Sequence, residues 1–344
     1  MGGGEKKHLS YALAFRKMGF NVLMVTGKGS ELQKKCMEHG LSFFEIDLNG
    51  RSIFSKKKVQ LLQEFFTSHR VDAVFFNGSN DVKAGGKAAY LAEVSQRIYW
   101  RGIAVEPKSS RINRKVFSTY LTAVVTNSKA TKNKILNSLG DSIDESKMKV
   151  VYNGIDFEEY DAQLSKVNSE DSNRIIIGNA ARLTPQKNLG VLIRLALYLK
   201  EKGVDFEIRI AGDGDQRDEL EKKISKAGLG DQIRLLGFVD NVREFMEGID
   251  LLAFPSLWEG FGFTLVEAMA AAKPVVAFNL SSNPEIVGEG CGFLVEEEVE
   301  FHNAVLDLCS DSAKRKELGN KARKYARETF SLSQSARQLA SLLN

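Results

Sequence analysis

The chain has 344 residues, 43% hydrophobic and 27% charged, with a formal net charge of +4. That is too long for one ordinary core and suits two domains of about 150 to 190 residues each. It holds no apolar run of about 18 residues and no apolar signal core, so a cytoplasmic chain that is neither exported nor membrane-spanning is expected. Cys36, Cys291 and Cys309 are an odd set without metal or redox spacing, and His8, His39, His69 and His302 are scattered. These patterns point to reduced thiols and away from a zinc site.

The charge is unevenly spread. Residues 1–155 carry 25 Lys and Arg against 13 Asp and Glu, whereas residues 156–344 carry 23 against 31. In the first half NVLMVT, DAVFFN and AVVTN read as strands between helical patterns. Arg51 to Arg70 sets Ile53, Phe54, Val59, Leu61, Leu62, Phe65 and Phe66 around Lys56-Lys57-Lys58. That pattern suits either an amphipathic surface for an anionic membrane or a packed helix of the first sheet. With Lys34-Lys35 and Arg111 to Lys115, this half points to an anionic acceptor or an anionic leaflet, with peripheral attachment at the inner face. No nucleic-acid module accompanies the charge.

The polar stretch after Asn153, through Asp156 to Asn173, is the expected boundary, giving domains over 1–155 and 156–330 and a terminal helix over 331–344. Beyond it, Arg174 to Ala180 (RIIIGNA) reads as a strand, followed by a turn from Arg182 to Asn188 and a helix from Leu189 to Lys200. Arg182 and Lys187 combine a planar fork with a point charge and so suit a diphosphate, although each alone is also an ordinary surface charge. EIRIAG is another strand. Asp213-Gly214-Asp215 has the look of a metal-binding triplet, but it follows a strand in the second half.

Asp250 to Phe254 is a buried strand, Pro255 and Ser256 break it, and Phe263 to Ala271 form a helix bounded by Lys273-Pro274. Such a loop presents the amides of Phe261, Gly262 and Phe263 at a helix N-terminus, where a phosphate is the natural guest. Gly260 and Gly262 let the backbone come close to a ligand, and Thr264 adds a hydroxyl. Glu267 suits a ribose, and Glu259 suits hydroxyls beyond the phosphate. The same spacing also fits an ordinary buried strand-loop-helix unit. The alternation along the chain argues for two doubly wound parallel sheets, an α/β fold.

Together these segments resemble the retaining glycosyltransferases of the GT-B fold, in the large glycosyltransferase family four. The similarity runs along most of the chain. Glu259 and Glu267 match the family's pair of glutamates separated by seven residues, and Arg182 and Lys187 match its diphosphate clamp. Gly2-Gly3-Gly4-Glu5 resembles the glycine loop before the first helix, and Val150 to Asp156 the turn into the interdomain linker. Ala211-Gly212-Asp213-Gly214 resembles the glycine turn after the second strand of the donor domain. Leu236-Gly237-Phe238 is similar to the segment near the nucleotide base, and Pro284 to Val287 to a further family segment.

Two departures stand out. The first strand of the N-terminal sheet is missing, since Met1 lies directly before Gly2, so the physiological start is expected upstream. Arg101-Gly102 also stands where many members carry a His-Gly pair, which makes Arg101 a cleft candidate. The resemblance implies two Rossmann-like domains facing a cleft, the first for the acceptor and the second for the donor, with the terminal helix crossing back to the first. It implies retaining, metal-independent transfer from a nucleotide diphosphate sugar, by preference a UDP-sugar, to a hydroxyl of a cell-surface glycan or lipid-linked acceptor. Arg182, Lys187 and Glu259 would serve catalysis. Gly3, Gly4, Gly212, Gly237, Phe238, Gly260, Phe261, Gly262, Phe263, Thr264 and Glu267 would hold the donor, and no cofactor is implied. A catalytically impaired sugar-nucleotide binder and a sugar-nucleotide epimerase are the alternatives.

Overall fold

The computed structural model describes residues 3–162 and 174–343. Met1, Gly2 and residues 163–173 of the polar stretch lie outside them. The chain divides into two compact units, one of Met1–Gly154 with Leu332–Asn344, the other of Ile155–Ser331.

The first unit runs α1 (Gly3–Lys17), β1 (Leu23–Thr26), α2 (Glu31–Glu38), β2 (Ser42–Glu45), α3 (Lys56–Ser68), β3 (Ala73–Phe76), α4 (Asp81–Leu91), β4 (Gln96–Arg101), α5 (Arg111–Lys115), β5 (Ala123–Thr126), α6 (Lys129–Leu139) and β6 (Met148–Val150). Serines start four of these helices. Ser30, Ser55, Ser110 and Ser128 each accept a hydrogen bond from the amide three residues on, a cap contributing about 1 kcal/mol. All strand pairs are parallel, and in β4 Ile98, Tyr99, Trp100 and Arg101 are buried, as strands covered on both faces must be.

The ladder of this unit comes in two pieces, β1–β2 and β3–β4–β5–β6. Neither β1 nor β3 has a second partner among the described strands, and Val25 in β1 is 39% exposed. Helix α1 packs on both pieces: Leu9 and Ala12 join Cys36 and Leu41, while Tyr11 and Phe15 join Ile98, Trp100 and Val125. Helix α3 buries Val59, Leu62 and Phe66 and stacks Phe65 on Phe44 of β2. The apolar stripe of Arg51 to Arg70 is thus committed to the core, although Phe54 and Leu61 stay exposed. Among the described residues no helix is long and apolar enough to cross a membrane.

The second unit runs α7 (Phe157–Ala162), β7 (Ile175–Ala180), α8 (Gly190–Glu201), β8 (Phe206–Ala211), α9 (Arg217–Lys226), β9 (Ile233–Gly237), α10 (Val242–Glu247), β10 (Leu251–Phe254), α11 (Phe263–Ala270), β11 (Val275–Phe278), α12 (Asn283–Ile286), β12 (Gly292–Val295), α13 (Glu298–Ser310) and α14 (Ser312–Thr329). Among the described residues its six parallel strands take the order β12-β11-β10-β7-β8-β9. Ile177, Leu192, Leu195, Ile208, Leu251 and Val276 lie in its core. Helix α15 (Leu332–Ala340) belongs to the first unit, where Leu332, Ala336 and Leu339 pack with Tyr11 and Trp100. Ser335 donates its hydroxyl to the Tyr152 carbonyl at 2.7 Å.

Candidate active site

In the second sheet the chain runs outward from β7 to β8 and β9, then returns to lay β10 on the other side of β7. An open α/β sheet binds ligands in the crevice beyond the strand ends at such a reversal, because the two connections leave to opposite faces. The loops leaving β7 and β10 carry Arg182 to Asn188 and Pro255 to Gly262. They are tied together. Leu257 N donates to Gln186 O at 2.9 Å, Gln186 Nε2 donates to Trp258 O at 2.6 Å, and Lys187 Nζ meets Glu259 Oε1 at 2.5 Å.

Local geometry aims this pair. Pro185 opens a short 3-10 turn that Asn188 closes at φ 51°, a left-handed conformation asparagine tolerates. Ser281 and Ser282 donate their hydroxyls to the Glu259 carbonyl, and Glu259 N donates to Ser281 Oγ. The Lys187 and Glu259 side chains are 16% and 10% exposed, so their attraction is little screened by water. Arg182 is exposed, and its guanidinium has no partner among the described residues.

The glycine turns are required by sterics. A Cβ on Gly212, at φ +131°, would overlap the Ala181 carbonyl oxygen, and one on Gly214 would overlap that of Leu183. Gly212 N donates to Gly237 O at 2.7 Å and Leu183 N to Asp213 O at 3.0 Å, which draws the turn after β8 and the end of β9 against the β7 loop. Phe238, just past β9, is 70% exposed.

Gly262 stands before α11 at φ 75°, so Phe263 begins the helix. Phe261 is buried edge-on against Phe263 and Phe330. The Thr264 hydroxyl donates to the Ala180 carbonyl at 3.1 Å, so it fastens α11 to the end of β7. Glu267 lies one turn into α11, where its carbonyl accepts from Tyr160 OH at 3.3 Å. Burial first, and then the Glu267 charge, hold the Tyr160 phenol well above its usual range. The Arg243 guanidinium lies 4.6 Å from the Tyr160 ring centroid and pairs with Glu247 at 2.8 Å.

Gly3 and Gly4 open α1 in the first unit. Arg101 is also there, with Nη1 on Tyr99 OH at 3.0 Å and Nη2 on Val105 O at 2.5 Å. Sequence reasoning passed over Ser281, Ser282, Tyr160 and Arg243. Nothing local marks them, since their roles arise from partners far along the chain.

A GT-B architecture of two Rossmann-like units, with a basic and an acidic side chain meeting at the switch point of the second, is the class that fold and site define. Residues 161–325, within the second unit, match the family model of glycosyl transferases group 1. The chain is 35% identical over 182 residues to an uncharacterized glycosyltransferase, MJ1607, of Methanocaldococcus jannaschii, covering 49% of this chain and 46% of that protein. It is 31% identical over 209 residues to the N-acetylgalactosamine-N,N'-diacetylbacillosaminyl-diphospho-undecaprenol 4-alpha-N-acetylgalactosaminyltransferase of Campylobacter jejuni, covering 59% and 55%. The matches thus span about half the length of these relatives. Among solved structures, Anabaena Alr3699/HepE in complex with UDP superposes with a TM-score of 0.85 at 23% identity, covering 99% of this chain and 96% of that one. The likeness is one of fold.

Proposed function

We propose that the chain is a glycosyltransferase that moves a sugar, with retention and without an obligatory metal, from a nucleotide diphosphate sugar to a hydroxyl of a glycan or lipid-linked acceptor. The observation that carries this is the meeting of Lys187 and Glu259 across the β7/β10 switch point, within the stretch that matches the group 1 family model. UDP is the favoured nucleotide, supported by a neighbour of the same fold that holds UDP. The lipid-linked acceptor is supported by the Campylobacter relative, whose name gives a diphospho-undecaprenol acceptor.

Departure of a nucleoside diphosphate builds negative charge on the leaving phosphate, and charge placed to meet it lowers the barrier. Lys187 has three N–H donors, and Glu259 engages one side of the amine, leaving donors for a phosphate oxygen. The unpartnered fork of Arg182 and the amides at the start of α11 would supply the rest. Glu259 would hold sugar hydroxyls through its other oxygen, and Glu267 the ribose. Neither glutamate acts as a nucleophile in this reading.

The test is release of nucleoside diphosphate from a panel of sugar nucleotides, with the product anomer read by NMR and the assay repeated in EDTA. Lys187→Ala should slow release by about 100-fold or more. Unchanged turnover would remove the clamp from the mechanism, and an inverted anomer or loss of activity in EDTA would remove those parts of the reading.

A further inference from the structure

Helix α7 reaches α11 through one side chain. The Tyr160 hydroxyl donates to the main-chain carbonyl of Glu267 at 3.3 Å, and the same carbonyl accepts the helical bond from Ala271 N at 3.1 Å. A carbonyl oxygen has two lone pairs, so the phenol takes the one that the helix leaves free. A bond arriving from outside the helix resists rotation of α11 about its own axis, at the residue that bears the glutamate side chain.

Helix α10 holds the phenol from its other side. The Arg243 guanidinium lies 4.6 Å from the Tyr160 ring centroid, and its Nε donates to Glu247 Oε1 at 2.8 Å, with the two side chains 10% and 11% exposed. Both terminal nitrogens of Arg243 are buried without a hydrogen-bond partner. Such burial is costly, and an apolar side chain would fill the space at less cost. What only a guanidinium supplies here is a flat cation laid on the phenol ring, itself tied to Glu247.

Charge converges on the same phenol. After burial, the Glu267 charge does most to raise the Tyr160 pKa, while the Arg243 charge opposes it. The carboxylate of Glu267 thus lies within electrostatic reach of the hydroxyl that holds its backbone. Attachment of α7 does not depend on this contact, because Asp161 fastens the helix to α14 through Arg323 at 2.7 Å and through Arg327.

We propose that Tyr160 and Arg243 are positioning residues that aim Glu267 at the ribose of the nucleotide, and so set a preference for ribonucleotides over deoxyribonucleotides. This rests on the reading of Glu267 as the residue that holds the ribose. A hydrogen bond weakens steeply as its angle departs from linearity. A carboxylate held in one direction therefore distinguishes a ribose from a deoxyribose, and one free to swing loses that distinction.

The full chain is titrated by calorimetry with UDP, GDP and ADP, and the tightest of them is compared with its 2'-deoxy and 3'-deoxy forms. The native chain should favour the ribonucleotide over the weaker deoxy form by about ten-fold or more, and Glu267→Ala should bind the two alike. Tyr160→Phe keeps the ring over Arg243 and removes only the hydroxyl. It should lower the ratio by about three-fold or more, by weakening the ribonucleotide and leaving the deoxy form nearly unchanged. Arg243→Met should act in the same direction, and Arg243→Lys, which keeps a cation on the ring, should retain more of the ratio. Asp161→Asn is the structural control, since it should lower the melting temperature and keep the native ratio.

A native ratio in a folded Tyr160→Phe, or an equal loss of the ratio in Asp161→Asn, would overturn the positioning role while Glu267 stays on the ribose. A native chain that binds no nucleotide or does not distinguish the sugars, or a Glu267→Ala chain that still does, would remove Glu267 from the ribose and the positioning role with it.

Discussion

Lys187 and Glu259, 72 positions apart in the chain, meet at 2.5 Å where both side chains are largely buried. Removing one partner of such a pair leaves the other charge without compensation. Lys187→Met should therefore destabilise the second unit by about 3 kcal/mol, read as a lower urea midpoint. The double variant Lys187→Met/Glu259→Gln should recover part of that loss, because the stranded carboxylate is gone. Equal stability of single and double variants would show that the pair contributes little coupling.

The turn at Gly212 is a steric demand on the backbone. Gly212→Ala should cost about 3 kcal/mol or more, since the new Cβ would overlap the Ala181 carbonyl at an unfavourable φ. A Cβ on Gly230 meets open space, so Gly230→Ala should stay near wild type. Thermal unfolding of the two variants side by side decides it.

The thiols should be inert while the chain is folded. Burial raises the pKa of Cys36 and Cys291 and pushes that of Cys309 up to about 12. All three residues are buried and free, and the thiolate is the reactive form. Iodoacetamide at pH 8 should label them slowly in the native protein and readily in guanidinium. Rapid native labelling at any of them would contradict the packing around it.

Lys7 should leave a mark on stability above neutral pH. In the fold its pKa is about 7, against an ordinary 10.5, so between those values the unfolded chain binds more protons. Stability from this group therefore rises with pH from about 7 to 10.5. His8, at about 3 in the fold against 6.5, adds a loss of stability as pH falls below 6.5. Tyr11, beside the Trp100 indole and pushed up to about 12, titrates above this range. Melting temperatures from pH 6 to 9 should climb in the native chain and flatten in Lys7→Met.

Much of the second unit was legible locally. RIIIGNA is apolar and bounded by polar turns, and it became β7 over Ile175–Ala180. The break at Pro255-Ser256 and the helix formers after Gly262 gave β10 over Leu251–Phe254 and α11 over Phe263–Ala270. The amphipathic stretch around Lys56 to Lys58 had two readings, and it took packing against β2 to commit its apolar stripe to the core. The Thr264 hydroxyl donates to the Ala180 carbonyl, 84 positions away in the chain, a partner that no local pattern marks. Hydroxyls find their acceptors among residues the sequence places far away.

The sequence by itself determined the alternation of strands and helices, the glycine positions that allow close backbone approach, and the residue types suited to a diphosphate. These follow from short-range periodicity and sterics, which a single segment expresses alone. Only the tertiary structure decided that β10 lies beside β7, that Lys187 and Glu259 therefore meet at the reversal of strand order, and that the Lys7 amine lies over the Trp100 ring. Those facts depend on pairings across long loops, and their free energy comes from contacts that exist only once the sheets and helices have packed.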